Sequence, residues 1–202
     1  MTGAPPSSLR LTFEQRVAWL RLIRSERVGP ATFRELLNHY GSAAAAVDAL
    51  PELSRRGGAV GGVRIASRDE AEAELEAAEQ IGARLVALGE PGYPVYLRSI
   101  DAPPPLISMI GSEDIGERPA VALVGARNAS LAGRKMARRI AADLGDAGFV
   151  IVSGLARGID AAAHEAALRS GTMAVLAGGL DRIYPPENVP LMEAILADGG
   201  AA

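Results

Sequence analysis

Apolar residues recur with helical spacing near the start of the chain. Between Phe13 and Glu26, Val17, Leu20 and Ile23 form a stripe that Trp19 and Leu22 widen. VGPATFRELLNHYG (28–41) continues the period. Gly29 permits a tight turn, Pro30 suits a first helical turn, and Gly41 stops the helix. SAAAAVDAL (42–50) reads as a third short helix capped by Ser42, and SRDEAEAELEAAEQIG (67–82) as an acidic helix capped by Ser67. Residues 1–10 read as a disordered tail and the glycine-rich RRGGAVGGV (55–63) as a mobile loop.

Beyond residue 82 the period changes. ARLVALG (83–89) reads as a buried strand and LISMIG (106–111) as a second short one, joined by the proline-rich connector EPGYPVYLRSIDAPPP. After the polar turn SEDIGERP, uniformly apolar runs alternate with amphipathic ones. VALVGA (121–126), FVIVSG (149–154) and TMAVLAGG (172–179) predict strands. SLAGRKMARRIAADLGDAG (130–148), DAAAHEAALRSG (160–171) and ENVPLMEAILADGG (187–200) predict helices. Strands apolar on both faces, alternating with helices, predict an α/β fold: a parallel sheet with helices on both faces, preceded by a small all-helical domain. The expected organisation is a tail over 1–10, a helical domain over 11–66, a helix, short strands and a proline-rich linker over 67–118, and the sheet domain over 119–202. ADGGAA (197–202) reads as a helix end leading into another strand, so the chain is expected to be a fragment whose sheet domain is incomplete.

Ligands of open α/β sheets sit beyond the carboxyl ends of the strands. Two loops there, Gly125–Ser130 and Ser153–Gly158, each lead into a helix N-terminus, where free N–H groups and the helix dipole attract an anion. Gly125, Gly154 and Gly158 leave the backbone bare, Arg127 and Arg157 add charged forks, and Ser130 and Asp160 read as N-caps. The ligand these loops predict is a phosphate; tight βα turns alone also account for the glycines. A third loop, AGGLDRIYPPEN (177–188), carries Gly178, Gly179 and Tyr184, with Asn188 as a cap. Tyr184 suits base stacking or packing equally. On the helix after the first loop, Ala137, Ile140, Ala141 and Leu144 are expected to face the sheet. Arg134, Lys135, Arg138 and Arg139 fall on another face, either solvated or extending a basic track along a phosphate backbone.

Composition narrows the chemistry. A net charge of −3 over 202 residues gives no global sign of nucleic-acid binding, so such a site must be local. Lys135 is the one lysine, and arginine forks suit phosphates. There is no cysteine, and His39 and His164 lack metal-ligand spacing, so neither metal nor cofactor is expected. No run reaches the ~18 apolar residues of a membrane helix, and the N-terminus lacks signal-peptide organisation, so a cytoplasmic protein without membrane contact is expected. The dinucleotide fingerprint is absent, since Arg127 takes its second glycine position, and no acidic residue ends the second strand. His164 and Asp160 share a helix face, but packing is the preferred role for His164, and no nucleophile or carboxylate pair joins them. RVGPATFRELL resembles the turn of a helix-hairpin-helix, with Arg27 where such turns usually carry a glycine.

Three strings, VALVGARNAS, VIVSGLARGIDAAAHEAAL and TMAVLAGGLDRIYPPEN, together with PGYPVYLRSIDAPPPLI ahead of them, resemble the DNA-processing protein A (DprA/Smf) family over nearly the whole chain. The resemblance implies a Rossmann-like domain behind a SAM- or helix-hairpin-helix-like one. It implies a cytoplasmic, non-enzymatic protein that binds single-stranded DNA and loads RecA onto it in natural transformation, in concert with single-strand binding protein, and that forms a homodimer when complete. It assigns DNA phosphates to Gly125 and Arg127 and to Ser153, Gly154, Arg157 and Gly158. The chain departs at Leu131 and Ala132, where the family has tyrosine and glycine. The second half of the family's Rossmann domain, with its Arg-Asn-Arg motif and dimer surface, and any winged helix lie outside the chain. The alternative from another class is a nucleotide-processing enzyme of phosphoribohydrolase type, although AGGLDRIYPPE lacks the threonine and spacing of that motif; a third is a purely partner-binding protein.

Overall fold

The computed structural model describes residues 10–56 and 63–202, and of Arg56 the backbone alone. The expected tail, Arg10 apart, and most of the expected mobile loop lie outside the described residues. The chain divides into two compact units, Met1–Gln80 with Leu85–Ile107 and Ile81–Arg84 with Ser108–Ala202.

The first unit is built from α1 (Phe13–Arg24), α2 (Pro30–Tyr40), α3 (Ala43–Arg56) and α4 (Arg68–Gln80). Thr12 starts α1 with a reciprocal cap: its hydroxyl accepts from Gln15 N–H at 3.3 Å, and its own N–H donates to the Gln15 side chain at 2.8 Å. The helix stops at Arg24, two residues before the expected Glu26, because the Ser25 hydroxyl folds back onto Arg21 O and also accepts from Ala66 N–H. α2 starts behind Gly29 and ends on Gly41 in the left-handed region, as its sequence predicts. α3 runs on to Arg56, past the expected end at Leu50. Ser42 and Ser67 both accept from the N–H three residues on, at 3.2 and 3.1 Å. Leu22, Val28, Phe33, Val47 and Leu50 make the core, with Trp19 edge-on to Phe33 at 5.0 Å between ring centroids. Burying each of these large apolar side chains contributes roughly 1.5–3 kcal/mol.

The connector is held by a buried carboxylate. Glu90 accepts from both terminal nitrogens of Arg16 at 2.7 and 2.9 Å, from Leu11 N–H at 2.8 Å and from Ala87 N–H at 2.7 Å. Burial raises its pKa, but the Arg16 guanidinium and these two amides outweigh burial and hold it below the usual carboxylate range. Beside it Tyr93 is fully buried and donates to Pro104 O at 2.8 Å; burial pushes its hydroxyl up to about 12. β1 (Arg84–Ala87) and β2 (Leu106–Met109) form a two-stranded sheet.

In the second unit β3 (Ala120–Ala122), β4 (Val150–Ser153) and β5 (Thr172–Ala174) form a parallel sheet in that order, with Val121 opposite Ile151 and Ile151 opposite Thr172. Crossovers between successive neighbours put α5 (Leu131–Asp146) and α6 (Ile159–Ala167) on one face. Ile151 points into that face among Ala141, Ala163 and Ala167. Val150 and Val152 point the other way, where the second face is covered by Ile115 of a 3-10 turn at Asp114–Glu117 rather than by an α-helix. After α7 (Val189–Ala197) the chain does lead into strand-like pairing: Ala201 bridges to Met173 in parallel and to Gly111 antiparallel.

Two further expectations change here. Ile140 is exposed, and Ala137, Ala141 and Gly145, at i, i+4, i+8, are the buried face of α5, because α6 approaches too closely for larger side chains. The run 121–126 is not buried throughout, since β3 ends at Ala122 and Val124 is 78 % exposed. β3 is an edge strand, so its residues lack a second neighbour in the ladder.

Candidate nucleic-acid interface

The loops after β3, β4 and β5 meet at one end of the sheet. Side chains at two of the glycines would collide with the neighbouring loop. A Cβ on Gly125 would lie 2.6 Å from the Ile159 side chain, and one on Gly158, at φ +83°, would strike the carbonyls of Ala126 and Arg127. These bare positions therefore let the first two loops interlock. Ser130 caps α5, accepting from Gly133 N–H at 3.1 Å.

The second loop is partly bonded from within. Ser153 is buried and its hydroxyl donates to Leu123 O at 2.5 Å. Asp160 is not the N-cap expected of it. Gly158 holds that position, and Asp160 lies one residue inside α6 with its carboxylate turned back to accept from Gly154 N–H at 3.1 Å and Ala156 N–H at 3.4 Å. The Gly154 amide, expected to face an anion, is thus already bonded. Asn188 does hold the N-cap position of α7, but its side chain makes no capping hydrogen bond; its amide donates to Leu155 O at 2.7 Å and ties the third loop to the second.

The three loops surround an open cleft of about 390 Å³. Arg127 and Asn128 enter from the first loop, Arg157 from the second, and Arg182 and Tyr184 from the third, over a floor that includes Gly154, Gly178 and Gly179. Arg127 and the Arg182 side chain have no partner among the described residues. Arg157 is paired with Glu187, whose carboxyl that hydrogen bond holds below its usual range. Tyr184 is 69 % exposed and precedes a cis proline, Pro185. The result is a concave, cationic surface with one free aromatic face.

Arg134, Lys135 and Arg138 do not line this cleft; they lie exposed on α5, and Arg138 is paired with Glu165. Arg182 and Asn128 do line it, although their sequence context does not mark them. The signal that could have found Arg182 is an arginine on each strand-end loop, Arg127, Arg157 and Arg182. His164 is fully buried, with Nδ1 2.7 Å from the Thr172 hydroxyl, which itself donates to Ile151 O at 2.7 Å. Nδ1 therefore donates to Thr172. Burial pushes the imidazole down to about 4, against the opposing pull of Ser153 O and the Asp160 charge. Among the described residues no group of acidic and histidine side chains is placed to hold a metal ion, and no helix is long and apolar enough to cross a membrane.

Residues 84–202, which contain the whole cleft, match the family model described as DNA recombination-mediator protein A, and residues 13–77 match that of the DprA-like N-terminal HHH domain. The chain belongs to the DNA recombination-mediator protein A family. Among curated members of this family, it is 43% identical over 131 residues to Protein Smf of Synechocystis sp., covering 62% of this chain and 33% of that protein. It is 44% identical over 105 residues to DNA processing protein DprA of Streptococcus pneumoniae, covering 51% and 37% respectively. The chain thus matches about a third of the length of these curated relatives. The crystal structure of the pneumococcal DprA is similar, with a TM-score of 0.67 and 26% identity over 95% of this chain and 66% of that one. The DprA of Helicobacter pylori, whose structure addresses its single-stranded DNA binding mode, matches with a TM-score of 0.50 and 26% identity over 59% of this chain and 54% of that one.

Proposed function

We propose that the cleft binds single-stranded DNA and that the chain is part of a recombination mediator. The observation that carries this reading is the convergence of Arg127, Arg157 and Arg182, from three successive strand-end loops, on one open cleft beside the exposed Tyr184 ring. Guanidinium forks suit phosphates, and a free aromatic face suits a base regardless of sequence. The H. pylori relative's single-stranded DNA binding supports the same ligand.

In this reading the three arginines contact phosphates and Tyr184 stacks on a base. Gly125, Ser153, Gly154 and Gly158 serve by shaping the loops, Ser130 by starting α5, and Arg134, Lys135 and Arg138 by extending the field outside the cleft. The protein binds without catalysis, since His164 is sealed in the core against Thr172. In this reading the bound strand is handed to RecA, in concert with single-strand binding protein, by a cytoplasmic homodimer acting in natural transformation.

The test is single-strand binding by an Arg127→Ala, Arg157→Ala double variant across a salt series. Affinity falls, and the slope of log K against log salt flattens by about 0.7 for each phosphate that is no longer engaged. Unchanged affinity and slope would contradict the assignment.

A further inference from the structure

The turn between β4 and α6 has the form of a phosphate cradle, yet the two donors nearest Asp160, Gly154 and Ala156 N–H, are occupied. Gly154 and Ala156 N–H both donate to one oxygen of Asp160, at 3.1 and 3.4 Å. Ile159 N–H donates to Ala126 O at 3.3 Å, Ala161 N–H to Ala156 O at 3.1 Å and Ala162 N–H to Gly158 O at 3.2 Å. Gly154 and Ala156 nevertheless line the cleft, while Asp160 is only 6 % exposed beneath them. Amides so arranged at the carboxyl end of a strand ordinarily take a ligand's phosphate. Here a carboxylate from the first turn of the same helix accepts those hydrogen bonds and has the same sign of charge.

We propose that Asp160 is a positioning and specificity-determining residue: its carboxylate fills the amide cradle behind β4 and excludes the phosphomonoester of a free nucleotide, leaving the cleft to backbone phosphodiesters held at its arginines. A phosphomonoester carries close to two charges and needs the amides as well as the guanidiniums to replace its water. Against Asp160 it meets a like charge and finds the Gly154 and Ala156 donors taken. A phosphodiester carries a single charge and is satisfied by a guanidinium fork at the cleft surface. The same hydrogen bonds hold the loop in its working shape before any ligand arrives. The phosphodiester half rests on the DNA-binding reading; exclusion of the phosphomonoester rests on the Asp160 hydrogen bonds alone.

The experiment measures binding of AMP, and separately of an oligothymidylate without terminal phosphate, to the full chain as wild type, Asp160→Asn and Asp160→Ser. Asp160→Ser opens the cradle and binds AMP at least about tenfold more tightly than wild type, the scale of one or two charge-assisted hydrogen bonds gained. Asp160→Asn keeps an acceptor for the loop and binds the oligonucleotide within about threefold of wild type, so a merely structural role, which lowers both affinities together, is distinguished. A folded Asp160→Ser that binds AMP no better than wild type overturns the proposal. Should that variant not fold, the amide resonances of Gly154 and Ala156 in the wild type decide. They stay in place when AMP is added, and movement of both with saturation overturns the proposal. Failure of the wild type to bind the oligonucleotide counts against the DNA-binding reading, while the AMP arm still decides the cradle.

Discussion

Arg157 and Glu187 form a carboxylate–guanidinium pair that joins the second strand-end loop to the third at the edge of the cleft. Both partners are about half exposed, so the pairing is readily exchanged for another anion. A DNA phosphate approaching Arg157 competes with Glu187 and meets its charge. Glu187→Gln removes the competitor, and single-strand affinity at low salt rises roughly threefold, an effect that fades as salt screens it. Fluorescence anisotropy at two ionic strengths reads this, and lower affinity in the variant would count against Arg157 as a phosphate ligand.

The Arg182 side chain has no partner among the described residues to lose, so its removal reports on the ligand alone. Arg182→Ala lowers single-strand affinity for every sequence tested and flattens the salt slope by about 0.7. An unaltered slope would place Arg182 outside the DNA path.

Tyr184 separates stacking from charge. Tyr184→Ala costs about 1–3 kcal/mol of single-strand binding while leaving the salt slope unchanged, and Tyr184→Phe restores most of the affinity. Equal losses in the alanine and phenylalanine variants would point to the hydroxyl instead of the ring.

His164 predicts acid sensitivity of the fold. Its imidazole is pushed down to about 4 in the native state, against an ordinary value of 6.5, so the unfolded chain binds the proton more readily. The stabilisation is whole above about pH 6.5 and is lost progressively as pH falls towards 4, to a total of about 3 kcal/mol. Urea unfolding across this range shows a shallower decline in His164→Gln than in wild type. Parallel profiles would mean that other groups set the sensitivity.

Glu90 is the least replaceable carboxylate of the connector. Glu90→Gln leaves Arg16, only 21 % exposed, without its charged partner and costs about 3–5 kcal/mol, read as a lower urea midpoint. A loss below about 1 kcal/mol would show that water reaches the guanidinium.

Much of this was legible along the chain because it is local. Helical spacing from Phe13, the proline and glycines bounding α2, the serines before α3, α4 and α5, and the alternation of apolar runs with helices all act within a few residues, where backbone sterics and capping decide. The motifs also marked the loops of the cleft, and Arg127, Arg157 and Tyr184 reach it together. Thr12's cap and the role of Glu90 are less visible, since a carboxylate buried 74 residues from its arginine looks like any surface glutamate.

The sequence by itself determined the elements, their order and the arginine on each strand-end loop, for these follow from periodicity and turn chemistry. Only the tertiary structure decided how those loops share their donors. Packing Gly125 against Ile159 and Gly158 against the first loop brings Asp160 under the amides of Gly154 and Ala156, and Glu187 onto Arg157. Whether a loop's hydrogen-bond donors are free or occupied depends on the path the turn takes in space, which the spacing of Asp160 from Gly154 and Ala156 does not by itself fix.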